Sequence, residues 1–121
     1  MFNKITISVN GIGSFYPEPR SILAKSSYLT PLELNELKSK NVAGDICLRF
    51  FDLDGKECKM ELKDRTMAIN FDQFKNINTK ICVVAGTFKT HAVIAALKGG
   101  LIDVLIADSL LADSILKTVG V

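Results

Sequence analysis

Apolar and polar positions alternate in blocks along the chain. The run Ile81-Cys82-Val83-Val84-Ala85 ends at Gly86-Thr87-Phe88-Lys89, and a helix-period pattern then continues to Leu97 until Gly99-Gly100 stops it. A second apolar run, Ile102 to Ala107, follows, so the order predicts a strand, a crossover helix and a parallel strand. Upstream, Lys4 to Val9 alternates and predicts a strand that runs into Gly11-Ile12-Gly13-Ser14. Tyr16-Pro17-Glu18-Pro19 is a loop, because two prolines exclude regular helix there. Thr30 as cap, Pro31 at the first position and Glu33 at the third predict a helix whose stripe, Leu34 and Leu37, ends at Lys40-Asn41.

Ile46 to Phe51 predicts a strand, Asp52-Leu53-Asp54-Gly55 a turn, and Glu57 to Leu62 the returning arm of a hairpin. Met67 to Ile69 predicts a short strand and Asp72 to Asn76 a short helix. Asp108-Ser109 caps a last helix over Leu110 to Lys117. The chain has no internal repeat, low-complexity tract or linker, so its 121 residues read as one domain. Strands alternating with helices in the second half make the class α/β.

Candidate chemistry follows from the strand–helix junction. Ligands of parallel α/β units sit at the carboxyl ends of strands, where a helix start offers free N–H donors and a positive dipole end. There Gly86 lets a ligand approach the backbone, Thr87 caps the helix, and Lys89 lies in its first turn. Those features suit a phosphate or a carboxylate. A solvated first-turn lysine is the plainer reading of Lys89. Asp45, after Gly44 and just before a strand, reads equally as a turn carboxylate bonding its own backbone.

Composition narrows the remaining classes. Apolar residues make up 48% of the chain and charged residues 23%, as in an ordinary globular domain. A net charge of +2 with scattered basic residues gives no footprint for nucleic acid. No apolar segment approaches the roughly 20 residues that cross a bilayer, and Met1 to Thr6 lacks the apolar region of a secretory leader. Cys47, Cys58 and Cys82 are odd in number and have no Cys-x-x-Cys spacing. With His91 as the sole histidine they predict neither zinc nor a disulfide framework, but a reduced, cytoplasmic chain without metal or cofactor. Ser14 has no histidine partner for hydrolase chemistry. Gly11 and Gly13 serve a tight turn, Asp52 and Asp54 a hairpin turn, and His91 a packed or surface position.

Taken in order, several phrases resemble the effector-binding domain of SorC/DeoR-type bacterial transcriptional regulators. They are Gly11-Ile12-Gly13-Ser14, Leu29-Thr30-Pro31, Val42-Ala43-Gly44-Asp45-Ile46, Arg49-Phe50-Phe51-Asp52 with Asp54-Gly55, Val84-Ala85-Gly86 with Lys89, Ala95 to Gly100, and Asp103 to Ile106 before Asp108. The resemblance implies a three-layer, mostly parallel α/β fold like that of phosphosugar isomerases and CoA transferases. It also implies that a sugar phosphate is bound as an effector rather than converted. By position, Lys89 would meet the phosphate with Gly86 and Thr87, and Asp45 would accept hydrogen bonds from sugar hydroxyls. Gly13 would shape the loop, and Lys25 would be its basic residue; Arg65 stands where such domains often carry arginine.

Such regulators are longer, with an amino-terminal helix-turn-helix and a Gly-Thr phosphate loop that have no counterpart here, and they often have glycine where Thr87 stands. The chain is therefore expected to correspond to the carboxyl-terminal half of an effector domain. It would form homo-oligomers and reach DNA only through a helix-turn-helix absent from it. A small isomerase-like phosphosugar enzyme, with Asp45 as base, and a purely structural dimerisation domain are the alternatives.

Overall fold

Twelve short elements, ten of them regular, account for the backbone described in the computed structural model, which covers residues 2–16, 18, 29–58 and 68–120. The regular elements are β1 (Ile7–Asn10), β2 (Gly13–Ser14), α1 (Pro31–Ser39), β3 (Val42–Ile46), β4 (Arg49–Asp52), α2 (Phe71–Lys75), β5 (Thr79–Val84), α3 (Thr90–Lys98), β6 (Val104–Ala107) and α4 (Ser109–Val119). Lys25, Arg65, Met67 and the hairpin arm beyond Cys58 lie outside the described residues.

β1, β5 and β6 form a parallel sheet in that order, with Val9 beside Ile81, Asn10 beside Cys82, and Ile81 beside Val104. The strand–helix–strand unit read from the sequence is thus present as β5-α3-β6. β2, β3 and β4 form a separate antiparallel sheet. The expected single strand over Ile46 to Phe51 is instead the tip of this hairpin. Cys47 and Leu48 both take positive φ, 50° and 63°, and reverse the chain in two residues. Two consecutive left-handed residues are the geometry of a tight hairpin turn, which usually advertises itself with Asn or Gly. The next turn is as expected: Asp52 Oδ1 accepts the N–H groups of Asp54 and Lys56, and Phe51 pairs with Glu57.

Helix starts follow side-chain chemistry. Thr30 and Glu33 form a reciprocal capping box at α1, Asn70 and Gln73 do the same at α2, and Asp108 caps α4. α2 opens at Phe71, one residue before its predicted start. Ala68 and Ile69 form no strand and instead offer their carbonyls to the buried Arg49 guanidinium.

α3 packs between the two sheets. Ala92, Val93, Ala95 and Ala96 are buried, and their small side chains let it approach Ala43 and Phe51 on one side and Cys82 and Val84 on the other. Leu111 and Ile115 of α4 close the same core. A second cluster holds α1 on the far side of the antiparallel sheet through Leu37, Val42, Phe15 and Phe50, with the two phenylalanine rings edge to face at 5.4 Å.

Candidate functional site

The carboxyl ends of β1 and β5 and the facing ends of β2 and β3 converge. Gly13 lies directly opposite Asp45 in the β2–β3 ladder. Gly44, the residue before Asp45, is buried, and a Cβ there would collide with the Gly13 carbonyl oxygen and come within 3.0 Å of the Phe51 ring. The close approach of these two strands therefore requires glycine, and it fixes Asp45 across from the Gly-Ile-Gly loop.

Asn10 ends β1 at the same place. Its amide Nδ2 donates to Cys47 Sγ at 3.0 Å, while its Oδ1 is buried with no partner among the described residues. Burial raises the Cys47 thiol above its ordinary range, the Asn10 hydrogen bond opposes this, and the nearby Asp45 charge adds to it. Cys82, in register with Asn10, is pushed up to about 11 by burial, against the lowering pull of the Lys89 ammonium. Lys89 is half-buried, with Nζ 5.7 Å from the Phe88 ring centroid, and its charge reaches into the strand end. Lys89, Cys82, Asn10, Cys47 and Asp45 are thus linked neighbour to neighbour.

The junction itself differs in detail from the expectation. Gly86 takes φ +102°, where a Cβ would come within 2.5 Å of the Phe88 ring, so glycine is required. Its N–H is already used: it donates to Asp108 Oδ2 at 2.8 Å, while Asp108 Oδ1 accepts from Leu111 N–H at 2.8 Å. These two bonds, the Leu111 one first, hold the Asp108 carboxyl below the usual carboxylate range. Thr87 makes no side-chain cap. The chain forms a 3-10 turn over Thr87–Lys89 before α3 begins, and the hydroxyl at work there is that of Thr90, which donates to the Thr87 carbonyl at 2.6 Å.

Thr87 lines an open cleft of about 470 Å³ with Glu18, Phe88, Thr90, His91, Ser114 and Thr118. The hydroxyls of Thr90, Ser114 and Thr118 are each hydrogen-bonded within the cleft wall. Because Thr90 gives its proton to Thr87, Ser114 is the donor in their 2.8 Å contact, and Thr118 donates to the Ser114 carbonyl. His91 stacks its ring edge to face on Tyr16 at 5.1 Å, and Ser14 is buried, donating to the Tyr16 and Phe88 carbonyls. Neither has a catalytic arrangement. No group of three or more potential metal ligands occurs among the described residues.

Of the residues singled out in sequence, Lys89, Asp45 and Gly13 belong to the strand-end group. Gly86 shapes its rim, Thr87 stands between it and the neighbouring cleft, which it lines, and Lys25 lies outside the described residues. Asn10 was missed. A polar residue closing an alternating strand immediately before Gly-x-Gly is the signal that marks it.

This arrangement can be set beside known proteins. Residues 1–117 match the family profile described as "Putative sugar-binding domain". The chain belongs to this family. The sorbitol operon regulator of Klebsiella pneumoniae is 27% identical over 116 residues, 96% of this chain and 36% of that protein. The deoxyribonucleoside regulator of Bacillus subtilis is 32% identical over 108 residues, 89% of this chain and 34% of that protein. A solved transcriptional regulator from Streptococcus pneumoniae superimposes with a TM-score of 0.85 at 32% identity, over 99% of this chain and 45% of that one. The chain thus spans between a third and a half of these relatives. The sugar-binding domains of SorC/DeoR-type regulators are its kin, as the sequence phrases implied, and the α/β class with a parallel sheet agrees. No helix among the described residues is long and apolar enough to cross a membrane.

Proposed function

We propose that the strand-end group binds a phosphorylated sugar and that the chain is a non-catalytic sensing domain of a cytoplasmic, sugar-responsive transcriptional regulator. Lys89 pairs with the phosphate, Asp45 accepts hydrogen bonds from the sugar hydroxyls, and Gly13 leaves room for the ring. Gly86 and Thr87 form the outer rim, with Lys25 as a further basic contact. Oligomer contacts carry the signal to a DNA-binding helix-turn-helix that lies outside this chain.

The observation that carries the reading is the half-buried Lys89 beside Cys82 at the end of β5, in a member of a sugar-binding family. A partly desolvated ammonium forms charge-assisted bonds to phosphate of about 1.5–3 kcal/mol each, far above the worth of an exposed lysine. Asp45, opposite Gly13 in the β2–β3 ladder and near the Cys47 thiol, stands where a sugar hydroxyl can donate to it.

A thermal-shift panel of sugar phosphates, the corresponding free sugars and inorganic phosphate tests this. At least one phosphorylated sugar raises Tm, the effect is lost in Lys89→Ala, and no product forms on incubation. Product formation would make the chain an enzyme, and a flat panel would remove ligand binding.

A further inference from the structure

The turn that carries Lys89 is fixed carbonyl by carbonyl. The Gly86 carbonyl accepts the Lys89 N–H at 3.1 Å, and the Thr87 carbonyl accepts the Thr90 hydroxyl at 2.6 Å. Both donors belong to the turn or to its continuation into α3. The Phe88 carbonyl is held from elsewhere. Ser14 Oγ, in β2 of the antiparallel sheet, donates to it at 3.2 Å across 74 positions of sequence. The Phe88 carbonyl and the Lys89 N–H are the two ends of one planar peptide unit. With the N–H on Gly86 and the carbonyl on Ser14, that plane is gripped at both ends. The direction in which the Lys89 side chain leaves the backbone is set with it.

Ser14 is anchored without help from its own side chain. It faces Gly44 in the β2–β3 ladder, and the next residue, Phe15, donates its N–H to the Ala43 carbonyl at 2.9 Å. It is 1% exposed, so its hydroxyl works within the protein and not toward solvent. The one proton it carries is shared with the Tyr16 carbonyl at 3.1 Å. The Tyr16 ring in turn packs edge to face on His91, in the first turn of α3. Ser14 and Tyr16 therefore clasp the lysine turn on both sides, at Phe88 before Lys89 and at His91 after it.

We propose that Ser14 is the positioning residue of the phosphate-binding lysine. From the antiparallel sheet it locks the Phe88–Lys89 peptide, which follows a strand of the parallel sheet, so that the root of Lys89 is ordered before the anion arrives. Binding then has less freedom to remove from that side chain. The inference rests on Lys89 as the phosphate contact and adds a residue that touches no ligand.

The test titrates three probes into the full chain and its variants: inorganic phosphate, a phosphorylated sugar that raises Tm in the panel above, and the same sugar without phosphate. In Ser14→Ala the two phosphate-bearing probes are expected to bind at least about fivefold more weakly, while the free sugar keeps its affinity. In a Lys89→Gln background the same change should have no further effect on them, because Ser14 acts through Lys89. Ser14→Cys fills the space but is a weak donor, so it should match Ser14→Ala. Circular dichroism checks that each variant folds. Amide exchange gives a readout without ligand. The Lys89 and Thr90 N–H groups, bonded to the Gly86 and Thr87 carbonyls, are expected to exchange faster in Ser14→Ala, and those of Val42–Ile46 to stay unchanged. Undiminished phosphate affinity, equal weakening of all three probes, additive losses in the double variant, a Ser14→Cys chain that binds like the unsubstituted one, or unchanged exchange at Lys89 and Thr90 would each overturn the proposal. If the unsubstituted chain binds no phosphate-bearing probe, the sensing reading falls, and amide exchange alone decides whether Ser14 sets the turn.

Discussion

Gly86 gives its backbone N–H to the Asp108 carboxylate at 2.8 Å, tying the turn after β5 to the start of α4. The same carboxylate caps α4 through Leu111. One side chain thus sets the spacing of two adjacent strand ends.

Acid stability should report this tie. The folded-state pKa of Asp108 lies below its ordinary value of 3.8, and hydrogen bonds from Lys80 likewise lower that of Asp103. A lowered folded pKa means that the unfolded state takes up protons first. The stabilisation is therefore fully present above the ordinary value and is lost as pH falls through the folded one. Asp108→Asn is expected to lower Tm at neutral pH and to flatten the fall in Tm below about pH 4–5. Thermal denaturation across pH 2.5–7 checks it, and an acid limb as steep as that of the unsubstituted chain would count against the tie.

Gly44→Ala should damage both the fold and the site. Its methyl would overlap the Gly13 carbonyl and crowd Phe51 and Ala92, and backbone cannot step aside as a flexible side chain does. Overpacking of this kind costs about 1–3 kcal/mol. Because Gly13 faces Asp45, the variant is also expected to weaken sugar-phosphate binding beyond any loss of folded protein, as isothermal titration at a temperature where it remains folded would show.

How far the sequence reveals these features depends on the range of the cause. Helix starts at Thr30, Asn70 and Asp108 rest on side chains bonding N–H groups three residues away, and two of the three were read directly; Asn70 lay just outside the predicted Asp72 start. The β5-α3-β6 unit showed in its apolar runs. The turn at Cys47-Leu48 did not, because neither residue type favours positive φ; the pairing of β3 with β4 imposes it from outside. Lys89 is legible as the lysine three residues past Gly86 in the expected first turn, and Asp45 as the residue after Gly44. That they share a strand-end neighbourhood with Asn10 depends on contacts between residues 37 or more positions apart, which periodicity does not encode. The failed cap at Thr87 has a similar origin. A 3-10 turn delays the helix by three residues, and α3 then starts without any side-chain cap.

Lys80 makes a separate prediction about stability. It is buried, and its ammonium donates to the Ile77 carbonyl at 2.9 Å and the Lys75 carbonyl at 3.1 Å, with Asp103 Oδ2 at 3.0 Å. The carbonyls belong to the end of α2 and the loop after it, so this lysine staples that helix to β5. Lys80→Met keeps the apolar stem and strips both carbonyls of their donor. The expected loss is about 1–3 kcal/mol, set by the stranded carbonyls rather than by the ion pair, since Asp103 is half-exposed and screened. Urea unfolding with an unchanged slope would confirm a local loss. A change below a few tenths of a kcal/mol would mean that water replaces the ammonium without cost.

Lys89 and Asp45 should be separable by ligand chemistry. Lys89→Gln removes the charge that meets phosphate but leaves the strand ends in place. Affinity for a phosphorylated sugar is then expected to fall about 10- to 100-fold, the equivalent of one charge-assisted bond, with little change for the same sugar lacking phosphate. Asp45→Asn keeps the shape opposite Gly13 and exchanges an acceptor pair for a mixed donor and acceptor, so it should weaken the phosphorylated and free sugars alike. Titrating both ligands into both variants gives four numbers. If Lys89→Gln weakens the free sugar as much as the phosphorylated one, the lysine acts by supporting Phe88 and the β5 end rather than by binding phosphate.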